Sequence, residues 1–341
     1  MRELPLLLRF GIQGRDQSGR RHLAEGASTR EPIVENDLDP TLTEDQKRAV
    51  AACWTQRLVM ISGPPGVGKT TIIRAIADTA KAQGLLTSLT APTGRAASRM
   101  TQLSGKPAST VHHLLGIMGR GIAPEYNAGN PLPADIVICD EASMLDVELA
   151  AKLTDALKPD AHLVLVGDAD QLPPPGAGDA LAELLASPAI SHHRLTQVFR
   201  QAARSTLLKT AASIRVGQVP NFETLPEDVA DLGAFWSADE DALASRAIQA
   251  ARIELPEKLG ISPDEVQVIA PMYRGAAGID ALNAGLRELA NPNGVAVMGG
   301  RLREGDRLIQ TKTDYTLISE SGEPFVNGAS CTFDCFNPAE G

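Results

Sequence analysis

A glycine-rich segment that follows an apolar run constrains the fold of this chain more than any other feature. Leu58–Ile61 is short and apolar, as expected for a strand that is buried on both faces. It leads into Gly63–Thr70, which satisfies G-x-x-x-x-G-K-[ST] at every defined position. A helical pattern follows from Thr70 to about Ala82. Glycines at these positions let backbone N–H groups turn around an anion, and the helix N-terminus adds partial positive charge. The segment therefore predicts a phosphate-binding P-loop in an α/β fold.

The P-loop assigns candidate roles to its own side chains. We expect Lys69 to reach the β- and γ-phosphates of a nucleotide and Thr70 to ligate Mg²⁺. The alternative is a Gly/Pro-rich turn before a helix, without a ligand. The predicted nucleotide-binding positions are Gly63, Pro64, Pro65, Gly66, Val67, Gly68, Lys69, Thr70 and Thr71.

Two further apolar runs end in polar residues that suit the same chemistry. Ile136–Cys139 is followed by Asp140, which is placed to hold Mg²⁺, and by Glu141, which is placed to polarise an attacking water. Leu163–Val166 is followed by a turn that contains Gln171, whose amide can sense a phosphate without changing protonation state. The alternatives are a solvated acidic strand end and a polar turn. Beside a P-loop, we interpret Lys69, Asp140, Glu141 and Gln171 as catalytic candidates.

The remaining periodicity places these motifs in a parallel sheet. Strands are predicted at 58–61, 87–90, 136–139 and 163–166, with helical segments between them, which is typical of an α/β sheet. A further strand is predicted at 266–270 and a helix at 278–290, and the pattern becomes β-like at 306–310 and 329–333.

Composition excludes several classes of protein. The 341 residues are 43% hydrophobic and 22% charged, which is close to the average for globular proteins and excludes a disordered chain. No run of 18 or more apolar residues occurs, which excludes a transmembrane helix. The apolar run at 4–8 is too short for a secretory signal, and the four cysteines form no CxxC pair, so we expect a cytoplasmic protein without a membrane partner. The net charge of −10 bears on solubility and does not exclude a local DNA-binding groove.

The order of the motifs resembles that of the RecD-like superfamily-1B DNA helicases, which also occur in conjugative relaxase-helicases. The segments that carry the resemblance lie between residues 41 and 335. They are Gly63–Thr71, Leu89–Ala97, Asp140–Met144, Gly167–Pro173 and Val198–Gln201. The resemblance implies ATP-driven 5′→3′ movement along single-stranded DNA in recombination, repair or conjugation.

The resemblance also implies roles for individual residues. Gln46 would read the adenine edge, Gln171 would couple ATP state to DNA grip, and Arg200 would reach the γ-phosphate from the second RecA-like domain. The alternative interpretation is that Arg200 is a surface or salt-bridged arginine without a catalytic role. The positions matched to DNA contacts are Thr90, Pro92, Thr93, Arg95, Tyr273 and Arg274. The alternatives are a helix-surface residue for Arg95 and an exposed loop after a strand for Tyr273 and Arg274. Met100–Pro107, with Ser104-Gly105 as a tight turn, matches the place of the family's duplex-splitting hairpin, and the alternative is a short hairpin loop without a function.

These patterns predict a P-loop NTPase fold with a RecA-like parallel sheet, a partial second RecA-like domain and the start of a small SH3-like β insert. We divide the chain into an irregular lead-in at 1–40, a first domain at 41–196 with a hairpin insert at about 100–108, a second domain at 197–300, and the insert at 301–341. The later Val-His-Lys-Ser-Gln-Gly-like family segment does not occur, so we expect a C-terminally truncated helicase.

The predicted cofactors are ATP and Mg²⁺, and the predicted partners are single-stranded DNA and single/double-strand junctions. Protein partners in a recombination or conjugation complex are compatible with the resemblance, and a monomer is expected. Two other functions stay open at this stage. One is a nucleotide-dependent module that binds DNA or a protein without unwinding, and the other is a P-loop kinase or AAA+ oligomer.

Overall fold

The chain divides into two compact units. A computed structural model describes residues 28, 30–117, 122–188, 190–197, 205–220, 231–311, 314–318, 324–325 and 327–335. Contacts between Cα atoms separate Met1–Pro220, here the N-terminal unit, from Asn221–Gly341, here the C-terminal unit. This boundary differs from the division after residue 196 made on the sequence, because a helix at Thr206–Arg215 groups with the N-terminal unit.

The N-terminal unit is built around one parallel six-stranded sheet. Its strands are β1 (Leu58–Ser62), β2 (Thr87–Ala91), β3 (Ala108–Thr110), β4 (Ile136–Cys139), β5 (His162–Gly167) and β6 (Ser191–Arg194), in the order β3-β2-β4-β5-β1-β6. Its helices are α1 (Glu44–Thr55), α2 (Lys69–Ala82), α3 (Gly94–Ser104), α4 (Val111–Leu114), α5 (Val147–Asp155), α6 (Ala180–Leu185) and α7 (Thr206–Arg215).

The apolar runs noted in the sequence form the centre of this sheet. All residues of β1, β4 and β5 are buried, which requires cover on both faces. Alternate side chains enter two separate cores: Val59 and Ile61 pack with residues of α1 and α2, whereas Leu58 and Met60 pack with residues of α5 and α6. The predicted parallel α/β sheet is therefore confirmed.

The hairpin predicted at about 100–108 is wrong. Helix α3 continues to Ser104, and Gly105 ends it in the left-handed region at φ 68°. Met100 is 2% exposed in the core, so burial of this side chain favours a helix that runs past the position where the hairpin was expected. Ala108–Thr110 then pairs in parallel with β2.

The C-terminal unit combines helices with short β pairs. Its helices are α8 (Glu240–Gln249), α9 (Leu255–Leu259) and α10 (Ile279–Ala290), and a π-helical turn at Ala250–Glu254 joins α8 to α9. Its strands are β7 (Ala296–Val297), β8 (Leu302–Arg303), β9 (Arg307–Ile309), β10 (Asp314–Ile318), β11 (Pro324–Phe325) and β12 (Ser330–Thr332). They form the antiparallel pairs β7–β8, β9–β12 and β10–β11.

The C-terminal unit corrects one further prediction and confirms two. The strand expected at 266–270 does not form. No strand of the described residues pairs with this segment, and Ile269 is 88% exposed, so its apolar side chain is not buried in a sheet. The β pattern at 306–310 and 329–333 is confirmed as the β9–β12 pair. A second RecA-like domain stays a prediction. In the described part of the chain, no helix has the length and apolar character needed to cross a bilayer.

Candidate nucleotide site

The predicted site residues follow neighbouring strands of the parallel sheet. Since β1, β4 and β5 run in the same direction, their carboxyl ends meet at one edge. At this edge the Gly63 N–H donates to the Gly167 carbonyl at 3.2 Å, and the Asp140 N–H donates to the Thr90 carbonyl at 2.9 Å. The P-loop and the ends of β4 and β5 are therefore brought together as the sequence predicts.

The P-loop has the backbone geometry of an anion cradle. Gly66 and Gly68 adopt φ of 83° and 82°, which side chains other than glycine rarely accept. Lys69 begins α2, and its Nζ donates to the Gly63 carbonyl at 2.6 Å. The ammonium thus lies against the loop itself, with a neutral partner. This arrangement fits a phosphate group, because Lys69 can exchange a carbonyl for a charged acceptor.

The acidic pair directly follows β4. Glu141 adopts φ 51°, an uncommon conformation for a residue other than glycine. The Glu141 N–H donates to Asp140 Oδ1 at 2.9 Å. This backbone conformation marks the turn that follows β4, where the two neighbouring carboxylates lie.

Burial raises the pKa of Asp140, and the neighbouring Glu141 carboxylate adds to the increase. The Glu141 N–H and the charges of Lys69 and Arg99 act in the opposite direction. Asp140 offers a carboxylate and Thr70, in the first turn of α2, offers a hydroxyl, and these are the oxygen donors that Mg²⁺ prefers. The donor set therefore fits the predicted ion, which would be held by Asp140 and Thr70.

Gln171 is joined to the acidic turn by a residue that the sequence analysis did not single out. The Ser143 hydroxyl donates to Gln171 Oε1 at 3.3 Å, and Ser143 itself is 5% exposed. Gln171 also donates its backbone N–H to the carbonyl of Asp168, a residue that is 5% exposed. The sequence signal for Ser143 is its place in the segment Asp140–Met144, which carries the family resemblance.

Gln46 makes two side-chain hydrogen bonds within the N-terminal unit, and its adenine-reading role stays a prediction. It is 2% exposed, and its Oε1 accepts the Thr43 N–H at 2.9 Å in a capping box at the start of α1. Its Nε2 donates to the Val67 carbonyl at 3.1 Å. Both ends of the amide are thus engaged, and Gln46 braces the P-loop against α1.

The predicted DNA contacts divide into accessible and inaccessible positions. Thr90 has no exposed surface and its hydroxyl donates to the Ser109 carbonyl at 2.9 Å, so the prediction that Thr90 contacts DNA is wrong. Thr93 is half-buried and caps α3 by accepting the Ala96 N–H. Pro92 beside it is also half-buried.

The other predicted contacts are exposed or lie outside the described residues. Arg95 is exposed on the first turn of α3, at the same sheet edge as the P-loop. In the C-terminal unit, Tyr273 is 71% exposed and Arg274 is exposed. Arg200 lies outside the described residues.

The parallel sheet, the P-loop and the acidic pair define a P-loop NTPase. A family profile described as "AAA domain" matches residues 41–230, which is more than half of the chain. The chain therefore belongs to this family, and nucleotide use is a property of the family.

Comparison with curated proteins confirms the RecD-like resemblance. The chain is 38% identical over 295 residues to the "ATP-dependent RecD2 DNA helicase" of Deinococcus radiodurans, covering 86% of this chain and 39% of that protein. It is 27% identical over 317 residues to the "RecBCD enzyme subunit RecD" of Mycolicibacterium smegmatis, covering 83% of this chain and 57% of that protein. The chain thus spans from about two-fifths to somewhat over half of the length of these relatives.

A solved structure gives a weaker likeness. The "Crystal structure of Pif1 helicase from Candida albicans" matches 86% of this chain and 68% of that chain, with 18% identity and a TM-score of 0.44.

Proposed function

We propose that this chain is the motor of an ATP-dependent, RecD-like DNA helicase whose ATP hydrolysis is stimulated by single-stranded DNA. The observation that carries the proposal is the meeting of Lys69, Asp140, Glu141 and Gln171 at the carboxyl edge of one parallel sheet. The helicase names of the similar proteins support the DNA-directed part of the proposal.

In the proposed reaction, each residue acts on a different part of the nucleotide. Lys69 leaves the Gly63 carbonyl and donates to the terminal phosphates. Thr70 and Asp140 would hold Mg²⁺, which would supply positive charge to the phosphate oxygens. Glu141 accepts a proton from the attacking water, and Gln171 orients that water or the γ-phosphate through its amide.

The DNA-side roles are proposed from the resemblance together with exposure. Arg95, which is exposed, and the Pro92–Thr93 turn would hold DNA phosphates, which carry no sequence information. Tyr273 is exposed enough to stack on a base, with Arg274 beside it for a phosphate. Arg200 would donate to the γ-phosphate. The 5′→3′ direction, and a role in recombination, repair or conjugation, rest on the resemblance alone.

Unwinding of tailed duplexes tests this function and its direction together. A duplex with a 5′ single-stranded tail, a duplex with a 3′ tail and a blunt duplex are incubated with the 341-residue chain, ATP and Mg²⁺. We expect ATP-dependent strand release from the 5′-tailed duplex only, and none with Glu141→Gln. Release from the 3′-tailed duplex alone would contradict the direction.

If ATP is hydrolysed in a DNA-dependent way and no duplex is opened, the unwinding part of the proposal is contradicted and the chain is a DNA-sensing ATPase.

A further inference from the structure

A segment of the C-terminal unit has the composition of a strand but no strand partner. Val266–Ala270 has the sequence Val-Gln-Val-Ile-Ala, which is uncharged and rich in the β-branched residues that favour extended backbone. Val266 is extended, at φ −89° and ψ 129°. Pro271 follows the segment and restricts Ala270 to extended backbone as well. The segment is therefore strand-like, although it belongs to none of the β pairs that the described residues form.

The exposure of this segment alternates as it does in a strand that lies with one face on the body of a protein. Val266, Val268 and Ala270 are half-buried, whereas Gln267 and Ile269 are exposed. Among the described residues, no backbone–backbone hydrogen bond involves positions 267–271. Their N–H and C=O groups can therefore pair with a further strand, as those along the edge of a sheet can.

Both ends of the segment are fixed to the C-terminal unit. Before it, Arg252 of the π-helical turn pairs with Asp264 at 3.1 Å and donates to the Pro263 carbonyl at 3.4 Å. After it, the N–H of Ile279, the first residue of α10, donates to the Met272 carbonyl at 2.9 Å. A segment that is already held at both ends loses little conformational freedom when it pairs, so it is preorganised for a partner strand.

The charges around the segment favour a second copy of the same segment in antiparallel orientation. Asp264 and Glu265 lie directly before it, and Arg274 follows it. An antiparallel pair brings the acidic end of each copy toward the arginine end of the other, whereas a parallel pair brings the two acidic ends together. The five residues between these ends carry no charge, so two copies face each other without repulsion. Such a pair is related by a twofold axis, the commonest symmetry of homodimers.

We propose that Val266–Ala270 is a self-association surface, through which two copies of this chain pair their segments antiparallel about Val268. In this register Val268 of one copy faces Val268 of the other, and Gln267 faces Ile269. The pairing needs neither nucleotide nor DNA, so it goes beyond the proposed function. It also differs from the monomer that the sequence led us to expect. Because five residues form a short ladder, the association should be weak and should depend on protein concentration.

Analytical ultracentrifugation of the 341-residue chain, without nucleotide or DNA, measures this association. The sedimenting mass should rise from that of one copy toward that of two between about 1 and 100 µM, as expected for a small interface. Ile269→Asp should keep the mass at one copy over this range, because aspartate disfavours a strand and would lie near Glu265 of the second copy. Ile269 is 88% exposed, so the variant should fold, which circular dichroism checks.

Val219→Asp is the matched control for Ile269→Asp. Val219 is 93% exposed in the N-terminal unit, so this variant also replaces an exposed β-branched residue by aspartate, but outside the segment. It should associate like the unaltered chain. Equal loss of association in the two variants would indicate general apolar adhesion and would overturn the inference. A mass of one copy at every concentration, or masses that grow beyond two copies, would overturn it as well.

Cysteine crosslinking tests the register of the pair. The background is Cys331→Ser and Cys335→Ser, which removes the two cysteines that are not buried. In this background Val268→Cys places two thiols directly opposite each other, within the distance that a disulfide spans. Ile269→Cys places them on diagonal positions about 7–8 Å apart, which is too far.

We expect mild oxidation to link Val268→Cys into covalent dimers faster than Ile269→Cys, although Ile269 is the more exposed residue. Random collision of exposed thiols predicts the opposite order. That order, or equal rates in the two variants, would overturn the antiparallel register about Val268.

Discussion

Replacing Gln46 by alanine removes the side chain that braces the P-loop against α1. The variant loses the acceptor for the Thr43 N–H, which as part of a capping box contributes about 1 kcal/mol. It also leaves the buried Val67 carbonyl without the Nε2 donor, which costs about 1–3 kcal/mol. At 2% exposure, solvent does not replace these partners. We therefore expect Gln46→Ala to lower the free energy of unfolding by about 2–4 kcal/mol.

Urea denaturation followed by tryptophan fluorescence measures this loss. The chain has two tryptophans: Trp54 is fully buried in the N-terminal unit, and Trp236 is 79% exposed in the C-terminal unit. A Trp236→Phe background makes Trp54 the reporter of the unit that contains Gln46. The change should appear in the midpoint at an unchanged m-value.

Thr43→Ala is the matched control for the Gln46 experiment. It removes the Thr43 Oγ1 acceptor of the Gln46 N–H and should cost only about 1 kcal/mol, while the contact with Val67 remains. The affinity for nucleotide should fall in Gln46→Ala and stay unchanged in Thr43→Ala. Equal destabilisation by the two variants, or an unchanged nucleotide Kd in Gln46→Ala, would refute the role of Gln46 as a brace.

Three further predictions follow from single side chains. Asp140→Asn should stabilise the N-terminal unit at pH values above the raised pKa of this carboxyl, because the variant has no charge to bury. The gain in stability should shrink as the pH falls through that pKa, and ATP hydrolysis should be lost. His162 has its pKa lowered from 6.5 to about 4 by burial, so the neutral ring is the folded form and up to about 3 kcal/mol of stability should be lost as the pH falls from 6.5 to 4; a pH series of urea midpoints should be flatter in His162→Gln, and equal slopes would contradict this. Ser143→Ala removes one hydrogen bond of about 1 kcal/mol, so the stimulation of ATPase by DNA should fall by up to about five-fold at an unchanged basal rate.

Local patterns were sufficient to predict the central sheet. The short apolar runs at β1, β4 and β5 are buried on both faces, and this burial is what makes their sequence distinctive. The P-loop was predictable because its glycines must adopt positive φ, a requirement that few other residues meet. The parallel arrangement then brings Asp140 and Gln171 to the P-loop edge without further information.

Local sequence patterns do not predict contacts between residues that are far apart in the sequence. The bond from Gln46 to Val67 and the pair of Asp170 with Arg215 join segments that no periodicity relates. The same limit explains the error at Thr90, whose hydroxyl suits a phosphate but bonds to the Ser109 carbonyl of the neighbouring strand. In each case the residue type indicated which hydrogen bonds or ion pairs the side chain can make, and tertiary packing determined its actual partner.

Steady-state ATP hydrolysis with and without single-stranded DNA tests most directly whether the sheet edge is a DNA-sensing nucleotide site. The unaltered 341-residue chain is compared with Glu141→Gln and with Glu148→Gln. Glu148→Gln is matched in type and removes a surface glutamate that pairs with Lys152 on α5. The proposed site predicts hydrolysis that DNA stimulates in the unaltered chain and in Glu148→Gln, and that is lost in Glu141→Gln. Equal hydrolysis in all three proteins, or a rate that DNA leaves unchanged, would contradict it.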